Sequence, residues 1–270
     1  MKIIRKFRKK TIDLLSSERW FSTSLTNKSR VENLIKSLSP IETSKPLIRL
    51  GPNGDGGYLI PDDLVGIDAC FSPGVSFVSG FESDCAARGM KVYMADKSVD
   101  QPAESHENFN FIKNFLGCTN AGDFITIDNW VIDSNVSESS DLILQIDIEG
   151  YEYEVFLSCS DELMKRFRII VAEFHFLEQL WNEPFFNIAS RVFDKINETH
   201  MCVHIHPNNY SGIYKKSGLS IPSLAEFTFL RKDRISSCKP AKKFPHPLDF
   251  DNTANKTIIL PDCFINKLQG

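Results

Sequence analysis

Strand-like and helix-like patterns of apolar residues alternate along most of this chain. Short apolar runs typical of buried strands occupy residues 67–71, 91–95, 142–146, 168–172, 201–205 and 224–230, and the ambiguous segment 109–116 is assigned to a third strand. Helical periodicity occurs at residues 30–38, 80–88, 152–165 and 187–199. The alternation predicts βαβ units and an α/β fold with a mainly parallel, seven-stranded sheet flanked by helices. The last two strands should form an antiparallel hairpin that closes one edge of the sheet.

The 270 residues suffice for one α/β domain with a substantial core. We assign that domain to residues 46–235, with a basic, helical extension at residues 1–45 and a tail at residues 236–270 that wraps the surface. Residues 1–10 hold six Lys or Arg side chains, and nearby apolar residues fall on one helical face. This pattern suits contact of residues 1–15 with an anionic membrane surface. A helix packed on the domain, or a free basic arm, is the alternative interpretation.

Charge and cysteine usage narrow the class of protein. The net charge of −4 gives no support to nucleic-acid binding. No apolar run approaches the roughly 18 residues of a membrane span, and the N-terminus does not resemble a secretory signal. The seven cysteines form no CxxC pair and show no zinc-type spacing, which indicates reduced thiols. We therefore expect a cytoplasmic protein, with association at the inner face of the membrane as an option.

The strongest chemical signal follows the predicted strand at residues 142–146. The carboxylates of Asp147 and Glu149 come directly after this apolar run, and Gly150 allows a turn before the next helix. Open parallel sheets bind ligands outside the carboxyl ends of their strands, so these acids should face a crevice. The competing interpretation is a solvated acidic helix start that complements the helix dipole.

A second signal lies at the ends of the first two predicted strands. Ser72, Pro73 and Gly74 follow the first strand, and Asp96 follows the second. In a nucleotide-type crevice the first turn approaches the ligand, and a carboxylate after the next strand holds the ribose hydroxyls. The GxGxxG pattern is missing from the first turn, which disfavours an NAD-linked dehydrogenase. A cofactor without pyrophosphate fits better.

Six segments together resemble FkbM-type S-adenosylmethionine-dependent methyltransferases over residues 47–232. They are Asp55-Gly56-Gly57-Tyr58, Phe71-Ser72-Pro73-Gly74, Phe81-Glu82, Val92-Tyr93-Met94-Ala95-Asp96, Asp147-Ile148-Glu149-Gly150-Tyr151-Glu152 and Glu173-Phe174-His175. The resemblance implies a class I methyltransferase (Rossmann-like) fold. It also implies that S-adenosylmethionine contacts a set of residues along the strand ends: Asp55, Gly57, Tyr58, Ser72, Pro73, Gly74, Glu82, Asp96, Lys97, Ser98, Asp123, Phe124 and Asp147. The first loop departs from the common pattern of such enzymes in having one glycine rather than Gly-x-Gly.

The family implies O-methylation of a sugar or another hydroxylated acceptor. The sulfonium methyl is already activated, so the protein must align the acceptor oxygen and remove its proton. We expect His175 to be the base, because it follows the fifth strand near Asp147 and imidazole titrates near neutral pH. Asp147 and Glu149 complete the catalytic set.

Residues near the sixth strand are candidates for the acceptor side of the pocket. His204 and His206 alternate on that strand and therefore share a face. The predicted acceptor residues are Glu173, His204, His206, Asn208 and Asn209. Asp147, Glu173 and His206 are also candidate ligands for Mg²⁺ or Mn²⁺. Direct binding of cofactor and acceptor by the same carboxylates is the alternative.

The sequence thus predicts a methyltransferase that acts on a glycan hydroxyl. The resemblance to the family implies a role in surface polysaccharide biosynthesis. One alternative is a methyltransferase for a small natural product or a protein side chain. Another is a catalytically silent module that binds cofactor or glycan. The predicted partner is a carbohydrate or other hydroxylated acceptor, and the sequence leaves a homo-oligomer open.

Overall fold

The computed structural model describes residue 16 and residues 22–75 and 77–266. The predicted basic helix at residues 1–15 lies outside the described residues. The strands are β1 (Ile41–Thr43), β2 (Leu47–Leu50), β3 (Tyr58–Pro61), β4 (Ile67–Pro73), β5 (Lys91–Ala95), β6 (Phe109–Ile112), β7 (Phe115–Gly117), β8 (Phe124–Thr126), β9 (Asp141–Ile146), β10 (Phe167–Phe174), β11 (His200–Pro207), β12 (Ile213–Lys216), β13 (Leu219–Pro222), β14 (Ala225–Arg231) and β15 (Cys238–Pro240).

Helices occupy the connections between many of these strands. The α-helices are α1 (Lys28–Ser37), α2 (Gly80–Ala87), α3 (Ile127–Asp133), α4 (Glu152–Ser158), α5 (Asp161–Met164) and α6 (Glu183–Thr199), and single 3₁₀ turns occur at Leu177–Trp181, Lys232–Arg234 and Asp262–Phe264. Helix α6 shows how the sequence sets these elements. Its apolar residues Phe186, Val192 and Ile196 are buried at helical spacing, and a proline lies in its first turn.

The central sheet has seven strands in the order β6-β5-β4-β9-β10-β14-β11. Strands β4, β5, β6, β9 and β10 pair in parallel, and β14 runs antiparallel to both β10 and β11. Numbered along the chain, the order is 3-2-1-4-5-7-6, whose first five members repeat the doubly wound arrangement. The predicted class I methyltransferase fold, with its antiparallel C-terminal hairpin, is confirmed.

The strand order reverses between β4 and β9, which is where a doubly wound sheet forms its ligand crevice. Here the backbone after β4 comes very close to the backbone after β9. Gly74 has a φ of +92°, and a Cβ at this position would lie 1.7 Å from the carbonyl oxygen of Asp147. Only glycine fits, so this one residue allows the two strand ends to meet at the crevice.

Two groups of buried side chains form the core on either side of the sheet. The larger group includes Val31 of α1, Trp130 of α3, Phe156 of α4 and Phe193 of α6. The smaller group includes Ile60 of β3 and Phe81 of α2. The β2–β3 hairpin and α2 therefore cover one face of the sheet, and the helices of the larger group pack on the other face.

Two local predictions were wrong. The helix predicted at residues 152–165 is two helices, because Cys159 is extended and the side chain of Ser160 accepts a hydrogen bond from the backbone of Leu163 to begin α5. The strand predicted at residues 109–116 is split, since only β6 joins the sheet and β7 pairs with β8. The connection from β11 to β14, to which the sequence analysis assigned no strand, forms a hairpin of its own, β12–β13.

The segments flanking the predicted domain also contact it. Three residues of α1 are buried in the larger core group. In the tail, β15 pairs antiparallel with β1. Further along, Arg49 Nη1 donates to the carbonyl oxygen of Leu248, and Asn209 Nδ2 donates to the carbonyl oxygens of Thr253 and Asn255 at 3.0 and 2.9 Å. These bonds hold the tail against the carboxyl end of the sheet.

Candidate functional site

A cavity of about 470 Å³ opens at the carboxyl ends of β4, β5 and β9. This volume lies within the range of roughly 300–1,000 Å³ that is usual for small-molecule sites. Gly74, Asp96 and Asp147, the residues that follow the three strands, all line it. The cavity therefore occupies the crevice where the strand order reverses.

The wall contains many of the residues predicted to contact the cofactor, together with others outside that predicted set. The predicted residues in the wall are Asp55, Tyr58, Gly74, Glu82, Asp96, Ser98, Phe124 and Asp147. The additional residues are Gly56, Val75, Val78, Ala95, Phe115, Leu116, Gln145, Ile148, Glu149 and Tyr151. The wall combines a carboxylate after the second predicted strand with apolar and aromatic side chains and with further polar groups. This combination fits a nucleoside joined to an amino acid.

The other predicted cofactor residues support the wall from behind or beside it. Lys97 Nζ pairs with Asp123 Oδ1 at 2.8 Å. Gly57 is packed against the Pro52 carbonyl and Arg49, and its neighbour Gly56 lines the cavity instead. Pro73 accepts a hydrogen bond of 3.4 Å from the backbone of Asp147. For the residues in the wall and for those outside it, direct contact with the cofactor stays a prediction.

Ser72 joins two polar wall residues beneath the cavity. Its Oγ lies 2.5 Å from Glu82 Oε1 and 2.6 Å from Gln145 Oε1, and Gln145 Nε2 donates to the Tyr58 hydroxyl at 3.1 Å. A serine hydroxyl has one hydrogen to donate, so a protonated Glu82 would satisfy both contacts. Burial raises the pKa of Glu82, which favours that form.

The turn after β9 projects its carboxylates into the cavity. Glu149 has a left-handed backbone with a φ of 58°, which is uncommon for a residue with a side chain. Gly150 follows with a φ of 103°, and a Cβ there would lie 2.4 Å from the Phe176 ring. The close packing of this turn on Phe176 places it directly beside the end of β10, where His175 lies.

His175 is surrounded by four carboxylates. Its Nε2 lies 3.4 Å from Glu149 Oε2, 3.9 Å from Glu173 Oε1 and 4.0 Å from Asp147 Oδ1. Its Nδ1 lies 3.2 Å from Glu152 Oε1. The imidazole is buried, whereas the Glu149 side chain is 88% exposed. The predicted catalytic residues are thus together: Asp147 and Glu149 line the cavity, and His175 lies next to them outside its wall.

These neighbours change the titration of the cluster. Burial alone would lower the pKa of His175, but the carboxylates of Glu152, Asp147 and Glu149 outweigh it and raise that pKa. Burial, assisted by the charges of Glu152, Glu149 and Asp55, raises the pKa of Asp147 to about 7 against the opposing effect of His175. An imidazole beside a carboxyl that titrates near neutral pH can exchange a proton with a hydroxyl at low cost.

The predicted metal set of Asp147, Glu173 and His206 is wrong as a set. Strand β14 lies between the strands that carry the last two residues, and Glu226 of β14 is the cross-strand partner of both. Among the described residues, the ligand atoms that converge within 4.8 Å belong to Asp147, Glu149 and His175. The same three side chains also suit a hydrogen-bonding cluster, and the use of Mg²⁺ or Mn²⁺ stays a prediction.

A second group of titratable side chains continues from Glu173 along the strand ends. Glu173, Glu226 and His206 are cross-strand neighbours on β10, β14 and β11, and all three are buried. Residues directly opposite one another on adjacent strands have Cβ atoms about 4.5–5.5 Å apart. Burial raises the pKa of Glu173 and of Glu226, and the charge of Glu226 raises that of Glu173 further. Two neighbouring buried carboxyls cannot both be ionised at low cost, so the pair retains a proton.

The two predicted acceptor histidines bind the tail. His204 Nε2 lies 2.8 Å from Asp249 Oδ1, and His206 Nδ1 lies 3.7 Å from the same oxygen. They do share a face, but the structure places them against Asp249 and outside the cavity wall. Asn208 Nδ2 contacts the two Glu173 oxygens at 3.3 and 3.4 Å, and Asn209 holds the tail backbone.

Two of the residues that sequence reasoning missed carried a visible signal. Gln145 and Glu226 are each a polar residue within a run of apolar strand residues, and a buried polar side chain needs a hydrogen-bond partner. Asp249, which sequence reasoning also missed, lies in an irregular tail segment, where no periodicity marks a buried acid.

Comparison with known proteins gives one family match. Residues 101–204 match the model described as "Methyltransferase FkbM domain". The matched segment contains β9, β10, the turn from Asp147 to Glu152, and His175. The family predicted from the sequence is confirmed over this segment. A search of curated proteins finds no match.

Two solved structures show limited similarity. A dimethyladenosine transferase from Plasmodium falciparum is 12% identical with a TM-score of 0.35, covering 78% of this chain and 64% of that chain. A putative methyltransferase from an antibiotic biosynthesis pathway of Anabaena variabilis ATCC 29413 is 12% identical with a TM-score of 0.27, covering 69% of this chain and 68% of that chain. This chain therefore spans less than two thirds of the first structure. Neither similarity bears on substrate or activity.

No helix in the described part of the chain is both long and apolar enough to cross a bilayer.

Proposed function

Because residues 101–204 match the FkbM methyltransferase domain, we propose that this protein is an S-adenosylmethionine-dependent O-methyltransferase that acts on a hydroxyl of a sugar or glycan. The observation that carries the proposal is the position of His175. Its Nε2 faces Asp147 and Glu149, and both of these residues line the cavity at the strand reversal. A base beside a nucleoside-sized cavity is the arrangement that methylation of a hydroxyl requires.

The cavity residues would divide the binding of the cofactor among them. Asp96, after the second strand of the sheet, would accept hydrogen bonds from ribose hydroxyls. Phe115, Leu116 and Phe124 offer apolar surface to the base, and Glu82 and Tyr58 offer polar contacts to the amino-acid portion. When bound, S-adenosylmethionine supplies an activated methyl group.

His175 removes the acceptor proton. In its unprotonated form, Nε2 accepts the hydrogen of the acceptor hydroxyl, and the resulting imidazolium is stabilised by the carboxylates around it. Asp147 and Glu149 orient the acceptor by accepting hydrogen bonds from its other hydroxyls. Because the raised pKa of His175 keeps it protonated at lower pH, turnover should increase as pH rises through that pKa.

The charges around His175 favour a particular class of acceptor. Asp147, Glu149 and Glu173 present carboxylate oxygens, which in their ionised form accept hydrogen bonds and repel anions. A neutral polyhydroxylated ring satisfies them through its hydroxyl hydrogens. An acceptor with a phosphate or carboxylate next to the reacting hydroxyl would be repelled. This supports a sugar or glycan, and a role in surface polysaccharide synthesis is our proposal for its setting.

The first test is calorimetric titration of the full chain with S-adenosylmethionine and S-adenosylhomocysteine, with EDTA and separately with Mg²⁺. Micromolar binding is expected, and transfer of labelled methyl to neutral glycosides should exceed transfer to the matching uronic acids. Binding without transfer to any hydroxylated acceptor would indicate a silent cofactor-binding module. Absence of binding under every condition would refute the proposal.

Asp96 provides the matched test of the cofactor site. Asp96→Ala should weaken cofactor affinity roughly tenfold or more, because a charge-assisted hydrogen bond contributes about 1.5–3 kcal/mol. Asp128→Ala, on α3 and outside the cavity wall, is the control. Equal affinity in the Asp96 variant and the control would show that the ribose is held elsewhere.

A further inference from the structure

The first turn of α4 contacts His175 at two points. The hydroxyl of Tyr153 donates a hydrogen bond of 2.7 Å to the backbone carbonyl of His175. The preceding residue, Glu152, places Oε1 3.2 Å from Nδ1 of the imidazole. Two consecutive residues therefore contact the backbone and the side chain of the proposed base.

Glu152 also holds the turn that carries Asp147 and Glu149. Its Oε1 accepts hydrogen bonds from the backbone N–H groups of Ile148 at 2.9 Å and Gly150 at 3.2 Å. The side chain is fully buried, with 0% of its surface exposed. One carboxylate thus lies between the cavity turn and the imidazole, and it fixes the position of both.

Two buried atoms at this contact have no hydrogen-bond partner. They are Glu152 Oε2 and His175 Nδ1. Buried polar atoms are nearly always paired, so an unpaired Nδ1 that lies 3.2 Å from a buried carboxylate oxygen indicates a bond that a small rotation completes. Contacts of this kind in a site without its substrate are often long and tighten when the substrate binds. Nδ1 is satisfied if it carries the hydrogen and donates it to the Glu152 carboxylate, whose Oε1 lies 3.2 Å away.

We propose that Glu152 is a positioning residue that holds neutral His175 in the tautomer with hydrogen on Nδ1. The unprotonated nitrogen is then Nε2, which faces Glu149 at 3.4 Å and Asp147 at 4.0 Å. A base requires a free lone pair on the side of the acceptor, and this tautomer provides it. The catalytic consequence rests on the proposed methyl transfer, but the tautomer is a property of the protein alone.

The tautomer is measured directly by long-range ¹H–¹⁵N correlation spectroscopy on the ¹⁵N-labelled full chain. The six histidines can be distinguished by comparison with a His175→Asn sample. At a pH where His175 is neutral, we expect the ¹⁵N frequencies of a protonated Nδ1 and an unprotonated Nε2. A protonated Nε2 in the wild-type protein would overturn the proposal without reference to any variant of Glu152.

Glu152→Gln tests the cause. The glutamine carbonyl can still accept from Ile148 and Gly150, whereas its amide group would donate to Nδ1 and move the imidazole hydrogen to Nε2. We expect the tautomer to switch and kcat to fall roughly 100-fold or more, with the affinity for S-adenosylhomocysteine changed by less than about threefold. An unchanged tautomer, or a kcat within about threefold of wild type, would overturn the assignment.

Glu162→Gln is the matched control, since it makes the same change of charge at an exposed position on α5. It should leave the His175 spectrum and kcat as in the wild type. The two proposals fail separately. Absence of methyl transfer by the wild type would refute the function and leave the spectrum unaffected, whereas the wrong tautomer would refute the role of Glu152 and leave methyl transfer in place.

Discussion

Two histidine–carboxylate clusters lie at the same end of the sheet, and they differ in what covers them. His175 after β10 contacts Glu149, which is 88% exposed, and Asp147, which lines the cavity. His206 on β11 lies between Glu226 and Asp249, and the tail residue Asp249 closes it from the other side with a side chain only 4% exposed. The first cluster is therefore open to a ligand, and the second is sealed by the chain itself.

The electrostatics of the two clusters are alike. Burial lowers the pKa of each histidine, and neighbouring carboxylates outweigh it, so both pKa values are raised. The two clusters differ in whether a ligand can reach the histidine. A buried histidine with acidic neighbours can be either a base or a support for the fold, and the position of the tail decides which.

The largest effect should come from removing the carboxylate that seals the second cluster. Asp249→Ala leaves His204 buried without its acidic partner and His206 with Glu226 alone, and the Asp249 Oδ2 contact to the His246 backbone is lost as well. We expect the free energy of unfolding to fall by roughly 3 kcal/mol or more. Urea denaturation measures it.

The control for this loss is Asp251→Ala, another tail acid, whose partner is the Thr257 hydroxyl in an exposed contact. It should cost less than about 1 kcal/mol. Equal losses in the two variants would mean that the histidines do not depend on Asp249.

The next effect separates the two histidines by function. His175→Ala should lower turnover roughly 100-fold or more, equivalent to about 2.7 kcal/mol in the barrier, with cofactor affinity nearly intact. His206→Ala should lower stability and leave turnover close to wild type at temperatures where it is folded. Single-turnover methyl transfer and calorimetry check both. Near-normal turnover of the His175 variant would remove it from the base role.

Sequence patterning could predict the sheet, because each strand carries its own apolar run and the ends of parallel strands meet at one edge. It placed Asp147, Glu149 and His175 together for the same reason. It also found Asp96 and Gly74, since both follow strands directly. The positions of these residues can be predicted from the local sequence and from the rule that parallel strands end at the same edge of the sheet.

The errors have a different physical origin. His206 was assigned to the pocket because it shares a strand face with His204, and it was a candidate metal ligand together with Glu173, but β14 lies between β10 and β11 in space. Asp249 arrives from an irregular segment about forty residues after its partners, and no periodicity marks such contacts. Pairing across inserted strands and through an irregular tail is set by tertiary packing, which one sequence without its structure does not reveal.

The pH dependence of stability and that of turnover should distinguish the two clusters. The raised pKa of His206 contributes stability that is complete below the unfolded value of about 6.5 and is lost as pH rises through the folded pKa. The raised pKa values of Glu173 and Glu226 act in the same direction, since the folded protein keeps protons that the unfolded chain releases near pH 4.5. The free energy of unfolding should therefore fall with rising pH, by about 1.4 kcal/mol for each tenfold difference in proton affinity between the folded and unfolded chains.

Turnover should move the opposite way, because His175 acts as a base only when it is unprotonated. Urea denaturation and methyl transfer, both measured at a series of pH values across neutrality, test the two trends. His206→Gln should flatten the stability curve near neutral pH and leave the turnover profile in place. Stability that is constant or increases with pH would contradict this account of the second cluster.

The smallest predicted effect comes from Asn252, which links the sealed cluster to the cavity wall. Asn252 Nδ2 donates to Glu226 Oε1 at 2.7 Å and contacts Asp55 Oδ1 at 3.3 Å, so it joins the sealed cluster to the cavity wall. Asn252→Ala should cost about 1 kcal/mol of stability and weaken S-adenosylhomocysteine binding by roughly fivefold, because Asp55 loses its anchor. Asn255→Ala, which breaks tail contacts to Asn209 alone, should reduce stability without changing affinity. If both variants bind the cofactor as tightly as wild type, the tail supports the fold and the cavity is independent of it.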